Sequence, residues 1–493
     1  MHLVLLSTGG TIFQKVDPVS GGMAIGVGLF DVLQPQWLQQ LQARQQQRLQ
    51  QWQQQQQEQQ REQGGGAVDR RAWPPSGRGA GAAVPPVVLR GWTHVDLRAR
   101  SGAELGFDTI FAARDAVRQQ LQLHSRDEAA REPEADGQGT TGSGVGGAGS
   151  GGCGVCFVLV TGTDTLEEFA FTLDLLLGLE LAAAGCPLVV TGAMKPYDIE
   201  GYDGAANMQQ AVQVALCRAA GRWGVLVCLN DAVQSARWAA KADSQLMGAF
   251  RSPQPGGAVA QVREGCVRFY YGPPPDDDAG DGGDGGGLCV RDPRFAALTA
   301  ADVAPWSRVG IWTTAVSGFI PAELLRPPPP PAAAPPPATA AAGQDRQRQG
   351  ADGGGDGSHE GAGAASEARG AGGAAPEGCG GGGGGLVGLV VAAPGTGSLS
   401  AALTDQLAAA ASRLPVVLVS RCGCGANADD HYYRGSAAKY SGRGLLLEGF
   451  PHCNALQARV LLVLRLAAGL YPQYSGGGGG TGGSVDARDG AVV

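Results

Sequence analysis

The chain has 493 residues, among them 82 glycines, 37 Lys plus Arg and 45 Asp plus Glu, for a formal net charge of −8. That acidic balance argues against a nucleic-acid or anionic-lipid footprint, and no apolar run reaches the roughly 18 residues of a membrane span. Glycine is far above its usual share of about 7% and sits mostly in runs, so the foldable remainder suits two domains of ordinary size.

The first apolar run, Leu3-Val4-Leu5-Leu6, has the length and aliphatic content of a buried strand. It leads directly into Thr8-Gly9-Gly10-Thr11-Ile12, whose glycines suit a sharp turn. With a strand at Leu3 no targeting segment is expected, and a cytoplasmic location follows as the expectation. Residues 39–86, Gln-rich and then Gly/Pro-rich, read as an insertion, although the Gln tract also has helical capacity. Residues 127–152, acidic and then glycine-rich, read as a second insertion.

A second strand is predicted over Cys156-Phe157-Val158-Leu159-Val160, and it too ends in a Thr-rich loop, Thr161-Gly162-Thr163-Asp164-Thr165. Leu166, Phe169, Ala170, Leu173, Leu176 and Leu177 then follow one helix face. A strand at 187–190, a helix over 205–219 and a strand at 225–229 continue the alternation. Residues 273–300 read as a linker around an Asp/Gly loop. Strands at 309–312, 386–393 and 416–419 follow, interrupted by a low-complexity insertion over 326–385. A last helix carries Leu456, Val460, Leu461, Leu464 and Ala467, with Asn454 at its N-cap and Gly469 at a left-handed C-terminal position.

The fold class is therefore α/β. A larger N-terminal domain (1–272) would hold a parallel sheet flanked by helices, a smaller C-terminal α/β domain would span 301–472, and 473–493 would be a disordered tail. If both Thr-rich strands share one parallel sheet, both loops leave its carboxyl edge, where open α/β sheets place ligands. Of the eleven cysteines, Cys156, Cys186, Cys217 and Cys228 lie in apolar patterns and read as reduced, buried thiols. Cys153-Gly-Val-Cys156 and Cys422-Gly-Cys424 lack second halves at zinc spacing, so no metal site is expected.

Thr11 on its Gly-Gly turn can expose a hydroxyl for attack, but an alcohol at neutral pH needs a base. Thr163 and Asp164 supply a second hydroxyl and a carboxylate at a helix start, where free N–H groups also favour developing negative charge. Lys241 follows the turn Asn230-Asp231, and a lysine held dry beside a carboxylate can take and return a proton. Singly, each has a plainer reading: a capped turn for either loop, a solvated surface charge for Lys241, a phosphate cradle for a Gly-rich loop. Neither loop has P-loop or dinucleotide spacing.

Taken together, these motifs resemble the bacterial-type L-asparaginase family (asparaginase/glutaminase fold), in which TGGTI carries the nucleophilic threonine and GTDT the second threonine with its aspartate. The resemblance runs on through Leu166-Glu167-Glu168, Thr191 to Pro196, Asp203-Gly204 with Asn207, Asn230-Asp231, Arg237 and Lys241. In the smaller domain it takes in Pro394 to Leu399 and Ala458 to Leu462. It implies hydrolysis of L-asparagine to L-aspartate and ammonia without cofactor or metal. Thr11 would form a β-aspartyl enzyme, Thr163, Asp164 and Lys241 would handle protons, and Asp164 would pair with the substrate's α-ammonium. Substrate binding would fall to Gly10, Ser101, Gly162, Thr163, Asp164 and Ser398. The resemblance also implies a homodimer or homotetramer, with Ser398 reaching the site of another subunit. Glutaminase or another amide hydrolase activity, and a non-catalytic amino-acid-binding role, stay open. Three positions depart from the family: residues 21–26 hold Met23 and no tyrosine, Thr161 replaces a usual histidine, and the substrate-carboxylate serine falls near Ser101 without a fixed register.

Overall fold

Leu3, Val4, Leu5 and Leu6 are all fully buried, because their strand lies inside a sheet covered on both faces. The computed structural model describes residues 1–20, 22–64, 85–100, 105–129, 154–253, 257–273, 291–316, 318–325, 385–428, 435–450 and 452–474.

In chain order the elements are β1 (His2–Gly9), the hairpin β2 (Gln14–Val16) and β3 (Met23–Ile25), α1 (Leu29–Val32) and α2 (Pro35–Gly64). Then come β4 (Gly91–Arg100), α3 (Phe107–Ala129), β5 (Val155–Val160), α4 (Leu166–Ala184), β6 (Leu188–Thr191) and α5 (Gly204–Ala215). Six strands follow: β7 (Val225–Leu229), β8 (Ala232–Ser235), β9 (Ala240–Lys241), β10 (Phe250–Arg251), β11 (Ala260–Arg263) and β12 (Cys266–Phe269). The remainder is α6 (Ala300–Val303), β13 (Val309–Thr313), β14 (Gly388–Ala393), α7 (Ala401–Ala411), β15 (Val416–Ser420), α8 (Ser436–Ser441) and α9 (Ala455–Ala467).

The large sheet has eight strands in the order β12-β11-β8-β7-β6-β5-β1-β4. Pairing is parallel from β4 through β7 and antiparallel across β8, β11 and β12. The expected parallel sheet is thus present, extended by an antiparallel edge. β1 is followed by β4 on one side and β5 on the other, so the strand order reverses at β1. The crevice outside the carboxyl ends of β1 and β5 is therefore the topological switch point.

Period-2 alternation splits each central strand between two cores. Val4, Leu6, Phe157, Leu159, Val190 and Val227 face the layer of α3 and α4. Leu3, Leu5, Cys156, Val158, Val189 and Leu226 pack with Met208, Ala211 and Val212 of α5 on the other side. The small sheet, β13-β14-β15, is parallel and forms the expected second α/β layer. Its helix α9 starts on a capping box: Asn454 Oδ1 accepts from Gln457 N–H (2.8 Å) and Gln457 Oε1 from Asn454 N–H (3.1 Å). Past its end Gly469 is left-handed (φ 68°), as its position predicts. Val460, Leu461 and Leu464 of α9 belong to the same core cluster as Leu166, Phe169 and Leu173 of α4.

Of residues 39–86, the Gln-rich part is helical, as its helical capacity allowed. The Gln tract continues α2 to Gly64, because Gln is a good helix former and the helix is anchored by buried Leu38 with Trp37 and Leu41 packed beside it. Likewise α3 runs to Ala129, past the expected start of the second insertion. The rest of the expected insertions, most of residues 273–300 and the tail from 475 lie outside the described residues. Among the described residues no helix is long and apolar enough to cross a membrane.

Candidate active site

Both Thr-rich loops open at the carboxyl ends of neighbouring strands, and they touch. Gly9 and Gly10 take φ values of 111° and 100°, which lets the chain turn sharply out of β1. A Cβ on Gly10 would lie 2.5 Å from Gly162 Cα, so this pair of glycines is what allows the loops to meet. Below them Thr8 Oγ1 donates to Thr161 Oγ1 (2.8 Å), both side chains fully buried. Thr161 is therefore a support that stitches the two loops together. Thr11 follows Gly10 directly and opens the short 3-10 turn Thr11–Phe13, half-buried at the surface of the crevice.

Thr163 is 4% exposed. Its Oγ1 accepts from Lys241 Nζ at 3.2 Å, and the same ammonium lies 2.9 Å from Asp164 Oδ1. Lys241 is largely covered, whereas the Asp164 side chain is 68% exposed and open to a ligand. The three residues are thus brought together across separations of 78 and 77 residues, with one ammonium in contact with one hydroxyl and one carboxylate.

Several neighbours hold this trio. Lys241 lies on β9, paired with β10, and its backbone N–H donates to Glu167 Oε2 (2.6 Å). Glu167 sits in the first turn of α4, two residues after Thr165. Burial raises the Glu167 carboxyl above its ordinary value, with the Lys241 N–H pulling the other way. Thr165 occupies the N-cap but its side chain makes no capping bond, so this loop is not a simple cap. Gly192 packs beneath Thr163: a Cβ there would meet Thr161 O at 2.6 Å and Thr163 Cγ2 at 3.2 Å. Asp203 gathers the loop after β6, accepting from Met194 and Lys195 N–H (3.1 Å each) and from Asn207 Nδ2 (2.9 Å).

Of the residues expected at the site, Gly10, Gly162, Thr163, Asp164 and Lys241 form one contiguous cluster with Thr11 at its border. Ser101 lies outside the described residues. Ser398 is exposed on the loop after β14, its N–H bonded to Pro394 O (2.9 Å). Among the described residues no hydrogen bond joins Ser398 to the cluster. Met23 pairs with Val16 in the β2–β3 hairpin and is 48% exposed. A cleft of about 140 Å³ between α3, α4 and α9 is lined by Leu105, Phe107, Thr165, Glu168 and Arg459. It abuts Thr165 but contains none of Thr11, Thr163, Asp164 and Lys241. Glu167 and Tyr202, whose hydroxyl donates to Ile12 O (2.9 Å), were given no role by sequence. Nothing in their spacing announces contacts made across 74 and 190 residues.

Residues 154–275 match the family model for the N-terminal part of asparaginase. L-asparaginase 2-3 of Saccharomyces cerevisiae is 34% identical over 116 residues, 24% of this chain and 30% of the relative. L-asparaginase 2 of Bacillus subtilis is 37% identical over 99 residues, 20% of this chain and 25% of the relative. A glutaminase-asparaginase of Pseudomonas fluorescens biotype A is 39% identical over 108 residues, 22% and 28% of the two chains. The chain thus spans 30% or less of the length of these curated relatives. A solved structure of a probable cytoplasmic L-asparaginase from Campylobacter jejuni aligns with 96% of this chain and 99% of its own, at 18% identity and a TM-score of 0.49. The matched segment contains Thr163, Asp164 and Lys241, while Thr11 precedes it.

Proposed function

We propose, taking residues 154–275 as an N-terminal asparaginase segment, that this chain hydrolyses L-asparagine to L-aspartate and ammonia through a threonine nucleophile. The observation that carries the reading is the Thr163–Lys241–Asp164 contact set beside the Gly10–Gly162 junction.

Thr11 Oγ attacks the side-chain amide carbon as its proton passes to Thr163 Oγ1 and the Thr163 proton passes on to Lys241, which takes part in this step as the neutral amine. The tetrahedral oxyanion is met by backbone N–H groups at the start of α4, whose dipole favours negative charge. Collapse breaks the C–N bond, the nitrogen collects the proton and leaves as ammonia, and a β-aspartyl ester remains on Thr11. Water then adds to the ester, the same groups return the proton to Thr11, and aspartate departs. Asp164, open on one side and held by Lys241 on the other, pairs with the α-ammonium and selects amino acids over simple amides. No step in this scheme calls on a metal or cofactor.

The test is ammonia release by purified protein. Thr11→Ala and Lys241→Met are expected to fold normally and to lower kcat by about three orders of magnitude or more, as for other nucleophile and proton-relay losses. Unchanged turnover in both variants would falsify the assignment. Glutamine is a second candidate substrate, favoured by the glutaminase-asparaginase relative, and parallel turnover of the two amides ranks them. A binding-only role, favoured by Met23 in the hairpin where a hydroxyl is absent, predicts calorimetric binding of asparagine without ammonia. Ser398, exposed on the small sheet, is assigned to the site of a second copy, which requires a dimer or larger assembly in solution.

A further inference from the structure

Thr11 rides on a turn of only three residues, closed locally by Phe13 N–H to Gly10 O and Gln14 N–H to Thr11 O. A turn that short has little rigidity of its own. The carbonyl in its middle, Ile12 O, accepts the Tyr202 hydroxyl at 2.9 Å. Tyr202 belongs to the loop between β6 and α5, and that loop grips the following hairpin twice more. Tyr197 N–H donates to Gln14 O (2.9 Å), and Asp198 Oδ2 accepts from Val16 N–H (2.9 Å).

The loop is itself well fixed. Asp203 draws in Met194 and Lys195, and the Tyr197 and Tyr202 rings meet edge to face at 5.2 Å. Gly204 provides the seat for the phenol: a Cβ there would lie 2.1 Å from Tyr202 Oη and 2.6 Å from Ile12 Cγ1. Burial pushes the Tyr202 phenol well above its ordinary range, so it stays protonated and able to donate.

We infer that Tyr202 is a positioning residue for Thr11, its hydroxyl fixing the Ile12 peptide and with it the turn that presents the attacking oxygen. The inference rests on the proposal that Thr11 is the nucleophile. Attack requires the reacting atoms in near-contact geometry, and small misplacements cost rate far more than they cost binding.

The experiment is Tyr202→Phe in the full-length chain, which keeps the ring and deletes the donor. With L-asparagine, kcat is expected to fall about tenfold or more while KM stays within about twofold, since the Thr161–Thr165 loop is untouched. Hydrogen exchange is expected to quicken severalfold in peptides covering residues 11–16 and to stay unchanged in β7. Unchanged exchange over 11–16 overturns the inference, and so does a uniform acceleration across the fold, which marks general destabilisation. Unchanged kcat in an active wild type also overturns it. Should wild type release no ammonia, the functional proposal fails alone, and the exchange pattern still decides the role of Tyr202.

Discussion

Lys241 reaches two partners at once because its backbone is pinned from behind. Glu167 accepts its N–H at 2.6 Å, and the β9–β10 pairing fixes its direction. This support carries a cost that pH exposes. The folded state favours the neutral Glu167 carboxyl, since burial raises its pKa from the ordinary 4.5. Below 4.5 the group is protonated in both folded and unfolded chains and the penalty is absent. As pH climbs from 4.5 toward the raised value, the unfolded chain releases the proton first, so the fold loses stability relative to a neutral analogue. Glu167→Gln, whose amide oxygen still accepts from Lys241, is expected to melt close to wild type near pH 4 and above it near neutrality. Thermal melts at a series of pH values read this directly, and a gap that shrinks as pH rises would contradict it.

At the level of elements, α4 carries more than the start of the site. Asp174, 1% exposed on its third turn, receives Arg291 through Nη2 (2.6 Å) and Nε (3.0 Å), with Arg237 Nε at 3.5 Å. This cluster ties α4 to the later part of the 273–300 segment, through Arg291, and to the chain leading into β9, through Arg237. Removing the carboxylate leaves guanidinium charge buried, which typically costs 3–5 kcal/mol. Asp174→Ala is therefore expected to lose about that much in urea unfolding, with activity per folded molecule retained. A shift of less than about 1 kcal/mol would show that the cluster is neutral to stability.

Sequence alone made some elements plain. β1 and β5 read as buried strands because both faces are covered, so their apolar runs are unbroken. α9 declared both ends through Asn454 and Gly469. β4 did not: it is the outer strand, and its Thr93, His94 and Asp96 break any apolar run. α2 was legible only in part: the Gln tract showed helical capacity, but low complexity hid where the helix would begin and end. Of the site, the two Thr motifs were legible as short contiguous signals. Glu167 and Tyr202 were not, since their roles exist only once distant segments pack.

Across the whole molecule, the two sheets are joined by a core rather than a hinge of polar contacts. α9 of the small sheet packs on α4, Arg459 lies 3.7 Å from Glu168, and Gln457 Nε2 donates to Arg237 O (2.7 Å). The small sheet thus braces the helix whose first turn lies beside the crevice, while Thr163 and Asp164 follow β5 of the large sheet and Lys241 comes from the separate β9–β10 ribbon. Within that crevice Lys241 joins Thr163 and Asp164, and Thr11 directly follows Gly10, the residue that meets Gly162 of their loop. The decisive measurement is to treat the protein with a diazoketone analogue of asparagine, which alkylates the attacking hydroxyl, and to map the adduct by peptide mass. The predicted result is a single label on the peptide containing Thr11, absent from Thr11→Ala. A label on Thr163 instead, or steady asparagine turnover by Thr11→Ala, would contradict the account.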